Sequence, residues 1–165
     1  MSVRPSHIWK SLPIDKRVAA ADAFWRDEEA EDIHVQQIEA IVAIARRLKF
    51  RPKSVQALPI DRRAKQLAQL SEVSDALATR ALISYHFAAQ RPLMGAFLDA
   101  LGIAHENGLI TTEGVTPPDR DALTSAAEKV RADFPPDDVT LYMRTLLALD
   151  GDTWVNLESL LPASA

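Results

Sequence analysis

Leu12-Pro13-Ile14-Asp15-Lys16-Arg17 returns nearly unchanged as Leu58-Pro59-Ile60-Asp61-Arg62-Arg63, 46 positions later. Each copy opens a helical pattern and follows an Arg-Pro pair, Arg4-Pro5 and Arg51-Pro52; a third pair, Arg91-Pro92, opens another helical stretch. A repeat of this length constrains the fold. One helix pair cannot bury its own apolar face, so such chains stack neighbouring pairs over a continuous core.

The spacing of apolar residues supplies the rest. Pro13 suits a first helical turn, with Ser11 as the expected cap, and Ile14, Val18, Ala21 and Trp25 recur at helical intervals. The acidic knot Asp27-Glu28-Glu29-Ala30-Glu31-Asp32 reads as a loop or a helix start. Ile38, Ile41, Val42, Ala45 and Leu48 then form the expected buried row of a second helix, which Arg51-Pro52 ends. In the second copy, Ser74 is the expected cap of a helix over 75–90 that is apolar all round and therefore central. Pro92 opens a helix containing Gly95, read as a point of close approach by a neighbouring helix, and Asn107-Gly108 reads as its end. Pro117-Pro118-Asp119 and Pro135-Pro136-Asp137 each precede a further helix, and no alternating strand pattern stands out.

The expected fold is all-α, with seven to nine helices in αα-hairpins. Over residues 11–105 the arrangement resembles HEAT-type repeats, which place Pro near the first helix of each pair. Residues 1–110 are then two repeat units around a central helix, and 117–165 a helical C-terminal cap, within one domain.

Composition bounds the chemistry. With no cysteine and four histidines, neither disulfides nor thiolate chemistry is open to the chain, and no metal or cofactor site is expected. No secretory or membrane-spanning pattern is visible, so the expected location is the cytoplasm and a membrane partner is not expected. Charge is uneven: 15 Lys/Arg against 12 Asp/Glu up to His105, then 4 against 11. Within segment 46–65, Arg47, Lys49, Arg51, Lys53, Arg62 and Arg63 form a basic run, with Phe50 available to stack on a base.

Three functions are consistent with this pattern. The leading one is a non-catalytic interaction or scaffold domain that binds a protein partner. The second is nucleic-acid association through segment 46–65. The third is an enzyme with a polar centre at Arg80, His86 and Asp99, where a buried Asp99 needs a partner among Arg80, His86 and Arg91. The acidic knot and the basic run flank one helix and cannot pair there, but they can pair between neighbouring units or between molecules, and a homodimer through an apolar helix face is conceivable but not readable from the pattern. Trp9 is the tryptophan expected to be most exposed, as a possible partner anchor. His105-Glu106 starts a zinc-protease motif that fails at Leu109.

Overall fold

The computed structural model describes residues 3–162. The first two and last three residues of the ranges expected above, 1–2 and 163–165, lie outside the described residues. The chain is all-α but for one small hairpin, and it divides into two compact units, one spanning 4–88 and one running from 89. The division falls just before the Arg91-Pro92 helix.

The N-terminal unit holds α1 (Pro5–Ser11), α2 (Ile14–Arg26), α3 (Ile33–Leu48), α4 (Pro52–Gln56), α5 (Ile60–Ala68) and most of α6 (Asp75–Ala89). Both copies of the motif lie here, and each spans the junction between a short helix and a longer one. Pro13 and Pro59 share one extended geometry, φ −58° ψ 153° and φ −57° ψ 152°, and occupy the N-cap rather than the first turn. Each proline's carbonyl accepts from the motif's final arginine, Arg17 or Arg63, at 3.0 Å. The missing proline N–H costs nothing at a cap. Ser11 does not cap α2; its hydroxyl donates to the Ile8 carbonyl at the end of α1. Each copy therefore belongs to three helices, short, motif-bearing and long. The two motif helices, α2 and α5, make the most extensive packing in this unit.

The unit's core is continuous with this repeat. Ala20, Ala21 and Phe24 of α2 and Ala64, Leu67 and Ala68 of α5 are buried. The small residues let the two backbones approach, and apolar burial contributes about 25 cal/mol per Å². Trp9, expected to be exposed, is fully buried: its indole N–H donates to the Leu70 carbonyl at 2.7 Å, which fixes α1 on the α5–α6 link. Arg4 adds a two-bond contact to Asp75 at 3.1 and 2.7 Å. Ser74 caps α6 as expected, accepting from the Leu77 N–H at 3.1 Å. Helix α6 buries Leu77, Ala78, Ala81, Leu82, Ser84, Tyr85 and His86, while Ile83 and Phe87 are half-buried and Ala88 is exposed, so burial covers part of its apolar circumference.

The C-terminal unit contains α7 (Arg91–Ala100), strands β1 (His105–Glu106) and β2 (Leu109–Ile110), α8 (Arg120–Asp133), α9 (Pro136–Leu149) and a 3₁₀ helix (Val155–Leu160). Phe97 is the hub of its core, with Tyr142 at 5.6 Å nearly edge-on and Trp154 at 6.3 Å. Burial pushes the Tyr142 hydroxyl well above the ordinary phenol range. Asp119 caps α8 by accepting from Ala122 N–H at 2.7 Å. Asn107-Gly108 does not end α7. Both residues have positive φ, 50° and 90°, and form the two-residue turn that joins antiparallel β1 and β2.

Candidate functional site

The basic run is built from a helix end and the two helices after it. Arg46 and Arg47 stand exposed in the last turn of α3. Lys49 takes a left-handed conformation, φ 57°, and the Lys49 and Phe50 N–H groups both close on the Ala45 carbonyl. That cap turns the chain so that Phe50 is left 50% exposed between Lys49 and Arg51. Lys53 on α4 and Arg62 on α5 are also exposed. Arg47, Lys49, Arg51, Lys53 and Arg62 form no ion pair among the described residues. Arg63 differs from them: its guanidinium lies 4.9 Å over the Trp25 ring, and its Nε is buried without an acceptor. It belongs to the α2–α5 packing, where cation–π attraction holds it.

The acidic knot is a loop at the other end of α3, and Asp27 fastens it. The Ser84 hydroxyl donates to Asp27 at 2.6 Å, and the N–H groups of Glu29 and Ala30 donate at 3.0 and 3.4 Å. Burial works against the Asp27 charge, but these donors and Arg80 outweigh it and hold the carboxyl below its ordinary value. The carboxylates of Glu28, Glu29, Glu31 and Asp32 are left exposed, with no ion pair among the described residues. Glu31, Asp32 and Gln36 face Ala76, Thr79 and Arg80 across an open cleft of about 520 Å³. Among the described residues no group of three or more His, Asp or Glu side chains could hold a metal ion.

Between these ends, α3 buries Ala45 and half-buries Ile41, Val42 and Leu48 of the row its sequence indicates, but leaves Ile38 in solvent. Ile33, Ala40, Ile44 and Ala45 are buried, while Ile38 is 62% exposed and Val35 65%. The inward row contains Gln37, whose amide donates to the Phe24 carbonyl at the end of α2. A satisfied glutamine hides that row from a count of apolar residues. Val35, Ile38 and the half-buried Val42 share the opposite, outward face at i, i+3 and i+7. Residue spacing missed Val35 altogether. The order acid, apolar, base along residues 28–53 is the signal that marks this face.

Arg80, His86 and Asp99 do not form the expected buried network. Asp99 lies in the C-terminal unit, its side chain is 75% exposed, and it pairs with His105 Nε2 at 2.7 Å. His105 Nδ1 accepts the Gly108 N–H at 3.0 Å, so the proton on Nε2 is the one donated to Asp99. The group that approaches Gly95 is this imidazole rather than a helix: a Cβ there would lie 3.2 Å from His105 Cε1. Arg80 faces the polar cleft, and His86 is buried in α6 beside Tyr85, with ring centres 5.4 Å apart.

No family model matches the chain, and no curated protein or solved structure is detectably similar to it. Among the described residues no helix is long and apolar enough to cross a membrane.

Proposed function

We propose that this protein is a non-catalytic helical interaction domain that binds a protein partner through the outer face of α3. The observation that carries this reading is the exposure of Val35 and Ile38 on one face of α3, between an acidic and a basic end. Apolar side chains in a row invite cover, and unpaired charges at both ends give a partner its direction. The matching partner is an amphipathic helix with the reverse order of charge. The resemblance to HEAT-type repeats and a cytoplasmic setting belong to the same reading, since stacked helices present extended faces and the chain carries no cysteine for disulfides.

A second reading, nucleic-acid binding through segment 46–65, is favoured by Phe50, half exposed among unpaired cations. The enzyme reading has no comparable support, because Asp99 is engaged by His105 at the surface.

The experiment is capture from cell lysate on the immobilised full chain, with and without nuclease, beside Ile38→Asp and Phe50→Ala variants. Proteins that survive nuclease and are lost with Ile38→Asp support the protein-binding reading. Capture that disappears with nuclease and with Phe50→Ala favours the second. Identical capture by wild type and Ile38→Asp overturns the first.

A further inference from the structure

The two charged ends of α3 cannot satisfy one another within one chain. The helix has 16 residues, which separates its ends by about 24 Å. Glu28, Glu31 and Asp32 at one end and Arg46, Lys49 and Arg51 at the other are all exposed, and none has an ion-pair partner among the described residues. Val35 and Ile38 between them are open to solvent as well.

We propose that the occupant of this face is a second copy of the chain, with the two α3 helices antiparallel about a two-fold axis. This rests on the reading that the outer face of α3 docks a protein. Charge decides the direction. A parallel pair sets acid against acid and base against base, whereas an antiparallel pair sets each acidic end against a basic one, and two-fold symmetry makes every such contact twice. The spacing along the chain agrees. The register that puts Val35 opposite the partner's Val42 also brings the basic end of α3, from Arg46 on, to the partner's acidic loop before Ile33. In that register the two Ile38 side chains flank the axis, each opposite the partner's Glu39, whose carboxylate accepts from the Ser74 hydroxyl of its own chain, and the charged ends form the rim. Rim pairs of this kind contribute orientation and are screened by salt, while the centre supplies the drive for association.

Sedimentation equilibrium of the full chain tests the proposal. The wild type is expected to be a concentration-dependent dimer whose Kd rises with salt. Ile38→Asp is expected to weaken it by at least about tenfold, because one buried charge per copy enters the axis. Two exposed-site variants then test the direction. Arg46→Glu/Lys49→Glu reverses two charges at the basic end of α3, and Glu28→Lys/Glu31→Lys reverses two at the acidic end. Each alone is expected to be monomeric, and mixing them is expected to restore a one-to-one dimer, a rescue that misfolded variants cannot give. A wild-type chain that remains monomeric up to about 100 µM overturns the proposal. A dimer indifferent to Ile38→Asp, or variants that fail to recombine, overturns it too. If the chain is monomeric yet Ile38→Asp still abolishes nuclease-resistant capture, self-association fails and the docking face stands. If neither is affected, both fail.

Discussion

The indole N–H of Trp9 and the carbonyl of Leu70 meet at 2.7 Å, across 61 residues of chain. This bond ties the first helix to the link that leads into α6, and it is made by a side chain with no exposed surface. Trp9→Phe keeps most of the apolar contact and removes the donor. The expected cost is about 1–3 kcal/mol, the penalty for an unanswered buried polar group. In a urea titration the midpoint falls while the slope stays constant.

Acid stability follows from two carboxylates of the N-terminal unit. Asp75 is held far below its ordinary value of 3.8 by the Ser6 hydroxyl, the Arg4 guanidinium and the Ser6 N–H. Asp27 is lowered as well, its donors overcoming the effect of burial. A carboxylate with a lowered folded pKa stabilises the fold fully above its unfolded value, and the contribution is lost as pH falls towards the folded one. Thermal midpoints are therefore expected to fall below about pH 4, and Asp75→Asn flattens that fall. An unchanged acid slope in Asp75→Asn would show that the Arg4–Asp75 contact does not form in solution.

Lys49 holds a left-handed conformation that glycine adopts freely. Lys49→Gly is expected to stabilise the fold by about 1 kcal/mol while removing one charge from the basic run. Chemical denaturation reads the gain; a loss of stability would mean that the lysine stem contributes packing.

Gly95 leaves room for the imidazole of His105, 3.2 Å from where a Cβ would stand. Gly95→Val fills that room and displaces the ring, breaking its bonds to Asp99 and to the Gly108 N–H. Hydrogen exchange at the Gly108 amide is expected to accelerate, with helix α8 unaffected. Unchanged protection at Gly108 would place the ring elsewhere in solution.

Much of the architecture is legible in the chain because local rules and tertiary packing agree there. Pro13 and Pro59 start helices, Ser74 caps one, and most of the apolar residues of α6 are buried. The unread features are those where a polar group is satisfied at a distance. Gln37 reaches the Phe24 carbonyl and takes an inward position that an apolar count does not assign to it, while Ile38, counted with the buried row, stays in solvent. Trp9 looks like an exposed terminal residue until Leu70 supplies its acceptor. Asp99 looks like a buried charge because its neighbours are apolar, yet it points outward to a histidine on a hairpin too short to show alternation. Asn107-Gly108 fits a helix end and a hairpin turn equally well by residue type, and only the pairing across it decides.

The guanidinium that lies 4.9 Å over the Trp25 ring also makes that indole an optical gauge. Trp25 stands on α2 and Arg63 on α5, so the positive charge leaves the ring when the two motif helices part. Indole emission responds to a local field. The colour of Trp25, isolated by replacing Trp9 and Trp154 with phenylalanine, would therefore follow the separation of the two sequence repeats while each helix is still intact.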